Sequence, residues 1–293
     1  MNIIKLNEKK VAISLILLDW KCRESFHIFD YLKKQIFKDF EIIWVEYYKN
    51  YPEELFSKDI DTWIVLEIED DYYYHKHLMY NVGIFYAKGN IIVIMDSDVM
   101  LKETFTKTIF EEFEKDDNIV LHIDEFRNIN PKYYPFNYPS FEEFMNNGCK
   151  NCEKGITKGL ARRYDPIHTL NYGACMCAKR EDIIAIGGAD EHVDYLGHIC
   201  GPYEMTFRLK NYGKKIKWSY KEFLYHTWHP GTDGDKNYCG PHDGFNFSLR
   251  ALQLLDNNKV EPWVINKGIY KKDSTFLLDN ISDKWKIDTI KRG

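Results

Sequence analysis

Strand-sized apolar runs alternate with amphipathic stretches through the first hundred residues, and this alternation constrains the fold more than any other feature. Val11–Leu18 is a short apolar run that reads as a buried strand. Phe26, Phe29, Leu32 and Ile36 then recur at three-to-four spacing, which gives one apolar stripe of a helix. Glu41–Val45 and Trp63–Ile68 read as the second and third strands, and Lys76–Ala87 as a helix. Gly89-Asn90 turns the chain into a fourth strand, Ile91–Met95, and Phe105, Ile109 and Phe113 mark the next helix. Strand–helix–strand alternation with short connections predicts an α/β fold, a mostly parallel central sheet flanked by helices on both faces. Ligands of such sheets sit beyond the carboxyl ends of the strands. Asp96-Ser97-Asp98 stands immediately after the fourth strand.

At 293 residues the chain is near the upper size that one core supports. We expect one domain over 1–230 and a C-terminal extension, 231–293, packed on it. A loop-rich insertion at about 128–170 is marked by Pro131, Pro135, Pro139 and Pro166 among many Tyr, Asn and Gly residues. The regular pattern resumes with a strand at Asn171–Ala178 and a short helix from Arg180 that Gly187-Gly188 ends. A helix over Tyr203–Asn211, capped by Gly213, leads to a strand pair at Lys215–Ser219 and Glu222–Tyr225. A last helix falls near Phe247–Leu255.

A net charge of −5 without any long basic block argues against a nucleic-acid partner. The start, MNIIKLNEKK, lacks the apolar core of a signal peptide, and the longest apolar runs are too short to cross a bilayer. A cytoplasmic protein with no transmembrane segment is expected, with peripheral attachment compatible with a membrane-facing acceptor. Seven cysteines fit a reducing compartment. Cys149 and Cys152 form a C-x2-C pair, but zinc would need two further ligands. Cys175 and Cys177, two apart on a predicted strand, are expected on opposite faces. Aromatics make up 16% of the chain, which suits either an aromatic core or a cleft where flat rings lie against sugars.

Two carboxylates one residue apart at the tip of a buried strand can hold a hard divalent cation, Mn2+ or Mg2+, that also bridges substrate phosphates. The plainer role for Asp98 is to cap the following helix.

The stretch from Asn81 to Asp98 (Asn-Val-Gly-Ile-Phe-Tyr-Ala-Lys-Gly-Asn-Ile-Ile-Val-Ile-Met-Asp-Ser-Asp) closely resembles the family 2 glycosyltransferases. Tyr31–Gln35, Lys38–Glu46, Arg180-Glu181-Asp182 and Gly187-Gly188-Ala189-Asp190-Glu191 extend the resemblance over roughly residues 10–230. It implies a GT-A fold, the Rossmann-like nucleotide-diphospho-sugar transferase fold. It also implies metal-dependent, inverting transfer from a nucleoside-diphosphate sugar to a hydroxyl of a glycan, lipid-linked or protein acceptor. By the same resemblance Glu46 contacts the nucleotide base, with Tyr47 where a second acid is usual, and Asn81 binds the nucleotide. Asp96 faces the ribose or the metal, Asp98 the metal, and Asp190 with Glu191 the acceptor.

Inversion needs a carboxylate to deprotonate the acceptor. The family supplies it from a Glu-Asp pair, where this chain has Gly201-Pro202. Glu204 is the leading candidate base, with His198 and Asp194 next. Glu204-Met205-Thr206-Phe207-Arg208 also resembles a motif of the polypeptide N-acetylgalactosaminyltransferases, where a histidine at similar spacing binds the metal. That implies His226 as third ligand, ahead of His229. Cys239–Gly244 reads as a loop able to fold over the donor. Two other readings stay open: a sugar nucleotidyltransferase, whose glycine-rich loop Leu17–Arg23 lacks, and a non-catalytic carbohydrate-binding protein with a degenerate transferase fold.

Overall fold

The structure is a computed structural model that describes residues 1–278, except 129, 136, 147–148, 151–171, 198–200 and 231–244. His198, Cys152 and the 239–244 loop therefore lie outside the described residues, as does most of the 128–170 insertion.

The strands are β1 (Asn2–Lys5), β2 (Val11–Asp19), β3 (Phe40–Tyr48), β4 (Thr62–Ile68), β5 (Gly89–Met95), β6 (Ile119–His122), β7 (Glu125–Asn128), β8 (Cys149–Lys150), β9 (Cys175–Lys179), β10 (Lys215–Trp218) and β11 (Leu224–Thr227). The helices are α1 (Ile28–Lys33), α2 (Lys76–Tyr86), α3 (Phe105–Lys115), α4 (Phe141–Asn146), α5 (Arg180–Ala185), α6 (Tyr203–Asn211), α7 (Phe245–Asp256) and α8 (Lys267–Lys271). The main sheet runs β1-β4-β3-β2-β5-β9-β6-β10, and a smaller one runs β11-β7-β8. β4, β3, β2 and β5 are parallel neighbours, while β9 runs antiparallel between β5 and β6.

β2 explains why this sheet is central. Ile13, Leu15 and Leu17 point into one core with α1 and α3, and Ile16 and Leu18 into another with α2, α5 and α6. A strand apolar on both faces is stable only when helices cover both. Each side chain so buried contributes roughly 1.5–3 kcal/mol. A Cβ on Gly89 would come 2.5 Å from the Ser14 backbone nitrogen, so only glycine lets β5 start this close to β2. In the C-terminal stretch, Ile269 and Leu277 join the core on the α2 side, while Ala251 and Leu252 form a smaller cluster with Tyr203 and Phe207 of α6.

Four local expectations are corrected. The first helix stops at Lys33, because the Ile36 amide turns to the Glu103 carbonyl at 2.9 Å, and Ile36 is left exposed. The strands after α6 do not pair with each other: β10 joins β6 and β11 joins β7, both in parallel. Cys175 and Cys177 share a face, as alternate strand residues must, with their sulfurs 3.9 Å apart. Asp98 does not cap the helix that follows it, since α3 begins after Thr104.

His122 at the end of β6 is fully buried, with Nδ1 3.1 Å from the Cys175 carbonyl and Nε2 3.2 Å from the Thr206 hydroxyl. Burial lowers its pKa from 6.5 to about 3. A depressed histidine supplies stability that is complete above its unfolded pKa and lost as pH falls toward the folded one. Wild type is therefore expected to lose its stability advantage over His122→Asn by about 1.4 kcal/mol per pH unit as pH drops from about 6 to about 4. Urea titrations of both proteins across that range check this. A gap that does not change with pH would show that the ring is not held neutral.

Candidate active site

β2 and β5 are neighbours, yet the chain leaves β2 toward β3 and β4, while β5 lies on the other side. This is the switch point of a doubly wound sheet, where a crevice opens beyond the strand ends. The turn after β5 is fixed there by Ser97, whose hydroxyl donates to the Leu18 carbonyl at 2.9 Å. Met100 then exchanges backbone hydrogen bonds with Tyr225 of β11, at 2.8 and 3.1 Å. That bridge brings the Asp98 turn against the end of β11, where His226 stands.

Asp98, His226 and His229 form a cluster whose ligand atoms all lie within 4.8 Å of one another. His226 Nε2 is 3.6 Å from Asp98 Oδ1, and His229 Nε2 is 3.3 Å from Asp98 Oδ2. Behind His226, Glu125 Oε1 faces Nδ1 at 3.8 Å, the position of a carboxylate that orients a metal-binding imidazole. Burial pushes the Asp98 carboxyl up, but Arg23 and then His226 outweigh it and hold the group well below the usual carboxylate range. Burial works against charge on His226 too, yet Asp98 and Glu125 leave its pKa raised. One carboxylate and two imidazoles can hold a divalent cation, and the two ring nitrogens argue against Mg2+, which takes oxygen ligands.

Asp96 is not part of this cluster. Burial raises its carboxyl, and Lys76 is the main charge that opposes the shift. His229 stands in the cluster instead, because the turn after β11 folds it back onto Asp98.

At the neighbouring strand ends, Asp19 lies opposite Glu46 in register. Asp19 Oδ1 accepts from the backbone of Cys22 and Arg23 at 3.0 and 3.3 Å, which curls the loop and aims Arg23 at Asp98, with which it forms an ion pair. Burial raises both carboxyls, Glu46 well above its ordinary value with Asp19 adding to the shift. Glu46 also accepts from the indole of Trp44. Trp20 stacks on Tyr74 at 4.4 Å, with Lys76 and Arg23 over its ring.

The remaining expected residues sit elsewhere. Asn81 is fully buried, donating to the Ala189 carbonyl at 2.9 Å and to Glu191 at 2.7 Å and accepting from the Ala189 amide at 2.7 Å. Gly188 beside it has φ +71°, and a Cβ there would meet Asn81 Oδ1 at 2.4 Å. Asp190 accepts from the amides of His192, Trp263 and Val264 at 3.1, 2.9 and 2.9 Å, and burial raises its pKa to about 6. Glu191 also accepts from Asn266. Together these groups clamp the C-terminal stretch to the core. Glu204 is buried with Arg208, its Oε2 2.7 Å from Nε, while Oε1 accepts from the Asp190 amide at 3.0 Å. Asp194 pairs with Arg250 and faces His192 at 3.4 Å.

The parallel strands, the crevice at the switch point and the cluster of one carboxylate and two imidazoles define a doubly wound α/β architecture. Searches found no matching family model and no matching curated protein. Solved structures do match. TarS residues 1–349 of S. aureus with UDP-GlcNAc superposes with a TM-score of 0.57 at 14% identity, over 95% of this chain and 76% of that one. GalNAc-T7 with UDP, GalNAc and Mn2+ gives 0.51 at 12%, over 95% and 58%. The mannosyltransferase PcManGT of Pyrobaculum calidifontis with GDP-Man and Mn2+ gives 0.50 at 10%, over 95% and 77%. The chain has the GT-A glycosyltransferase fold.

Proposed function

We propose that this protein transfers a sugar from a nucleoside-diphosphate sugar to a hydroxyl acceptor, using a divalent cation, Mn2+ in preference to Mg2+, held by Asp98, His226 and His229. One observation carries the reading: in a GT-A fold, the tip of β5 and the end of β11 bring a carboxylate and two imidazoles together at the switch point. A cation bound there would neutralise charge that builds on the departing diphosphate. Glu125 would keep the His226 ring turned toward it, and Arg23, already beside Asp98, would add positive charge against the phosphates. The closed acid–aromatic group around Asp19, Glu46 and Trp20 supports a base-reading role there, with Asp96 at the ribose. The family 2 resemblance supports inversion at the anomeric carbon. Donors named with the fold neighbours, UDP-GlcNAc and GDP-Man, make hexosyl or N-acetylhexosaminyl transfer the class to test. The free thiols of Cys22, Cys175 and Cys177 support a cytoplasmic setting. Among the described residues, no helix is long and apolar enough to cross a membrane.

A thermal-shift screen of UDP-, GDP-, CDP- and dTDP-sugars with Mn2+ or Mg2+ tests this. A ligand at 100 times its Kd adds about 2.7 kcal/mol, so one nucleotide should raise Tm by several degrees, and only with the cation. If no nucleotide gives a metal-dependent shift and no donor is hydrolysed, the reading fails.

A further inference from the structure

The loop after β2 sets a positive charge against the cluster of Asp98, His226 and His229. Asp19 Oδ1 accepts from the backbone N–H groups of Cys22 and Arg23, which fixes where the Arg23 side chain starts. The guanidinium passes 5.4 Å from the Trp20 ring and ends on Asp98 Oδ2. That is the oxygen His229 Nε2 also faces, at 3.3 Å. The Arg23 and Asp98 side chains are only 8% and 14% exposed, so water screens the pair little. One carboxylate oxygen is therefore claimed by a guanidinium and, in the reading above, by a divalent cation.

We propose that Arg23 is an internal counter-ion that a divalent cation has to displace from Asp98, and that the displaced guanidinium passes to the diphosphate; the proposal rests on the transfer reading above. Cation and guanidinium cannot share one oxygen without two like charges meeting in a poorly screened site. A cation that arrives alone must break a buried pair and leave Arg23 without its carboxylate. A cation that arrives with a diphosphate brings Arg23 a replacement, since the guanidinium fork matches phosphate oxygens as well as carboxylate ones. Arg23 thus makes the site weak for the free ion and strong for the ion together with the diphosphate.

The side chain is suited to such an exchange. Its Nε is buried without a hydrogen-bond partner among the described residues, so part of the donor fork is unspent. A buried N–H left unpaired is costly and uncommon, and it calls for an acceptor. Asp19, not Asp98, anchors the loop backbone, so the guanidinium can change partner while the loop stays. Asp96 and Asp19 also act on the Arg23 charge, which favours keeping it at the strand ends. Asp98 keeps His226 and His229 beside it throughout, and the incoming cation replaces the charge that Arg23 withdraws.

The experiment compares full-length wild type, Arg23→Gln and Arg23→Lys at about pH 8, where protons compete little for the imidazoles. Mn2+ alone is titrated and read from the loss of the free-ion EPR signal. Binding that Asp98→Ala removes is counted as this site. The nucleoside diphosphate that scores in the thermal screen is then titrated by calorimetry at saturating Mn2+. Arg23→Gln is expected to bind Mn2+ alone about tenfold more tightly and the nucleoside diphosphate about tenfold more weakly, within the usual range of coupling between two ligands. Arg23→Lys keeps the charge, so it should stay near wild type for Mn2+ and fall between the other two for the diphosphate. Mn2+ binding in Arg23→Gln no tighter than in wild type would overturn the proposal. Tighter Mn2+ with unchanged diphosphate affinity would overturn it too, since Arg23 would then oppose the ion without passing to the phosphates. So would equal tightening in Arg23→Lys, which would trace the effect to the loop and not to the charge. If wild type binds Mn2+ at Asp98 but no nucleoside diphosphate, it is the transfer reading that fails, and the Mn2+ titrations still decide whether Arg23 opposes the ion.

Discussion

Asp98→Ala is expected to lower donor hydrolysis and transfer by about a thousandfold or more, equivalent to roughly 4 kcal/mol of transition-state stabilisation. It should also abolish the Mn2+-dependent part of nucleotide binding. The size follows from how many contacts the carboxylate serves. It faces His226 and His229 and pairs with Arg23. Among the described residues no other acid joins the cluster of ligand atoms, and Asp96 lies outside it. The variant should still fold. Arg23 keeps Asp96 and Asp19 as charge partners, and the turn is held by backbone and Ser97 bonds that the substitution leaves alone. Turnover and the Mn2+ thermal shift, measured on protein of unchanged circular dichroism, decide the matter. Full turnover with an undiminished Mn2+ shift would remove Asp98 from the site and the functional reading with it.

The fold was legible because local pattern and tertiary demand agree. β2, β3, β4 and β5 are buried on both faces, so each carries a short apolar run at its centre in the sequence. β1, β6, β7 and α8 are four to five residues long, below the length at which a period can be counted. The site was legible only where it hangs on one strand end. Asp98 follows β5 directly, and His226 ends β11. Which acids share a point in space depends on the Met100–Tyr225 bridge, and nothing in either segment's composition announces that bridge. Sequence also cannot show which partners a motif's polar atoms take. Asn81, Asp190, Glu191 and Glu204 stand where a transferase pattern places functional groups, yet here their polar atoms bind one another's backbone and the C-terminal stretch. Arg23 went unmarked because its role comes from the loop that Asp19 curls around itself.

Arg208 and Glu204 provide the second large effect, on stability. Arg208 is fully buried, and its guanidinium serves Glu204 together with the carbonyls of Ile186 at 2.6 Å, Val260 at 3.4 Å and Gly188. It therefore ties α6 to the turn after α5 and to the C-terminal stretch. Arg208→Met would leave a buried carboxylate and several carbonyls without their donor. Breaking such a pair costs about 3–5 kcal/mol, which for a chain of this size lowers Tm by on the order of 10 °C. Glu204→Gln then separates a holding role from a catalytic one. Each carboxylate oxygen accepts from a different N–H, the Asp190 amide and Arg208 Nε. An amide in either orientation points its own N–H groups at one of those donors, so Tm should fall here as well. Turnover per folded molecule, assayed well below Tm, should stay within a few-fold of wild type, because the carboxylate is buried and both its oxygens are engaged by protein N–H groups. A general base replaced by its amide loses about 10²–10⁴ in rate. A loss of that size in Glu204→Gln, with Tm unchanged, would return Glu204 to the reaction and reassign the buried clamp as part of the catalytic centre.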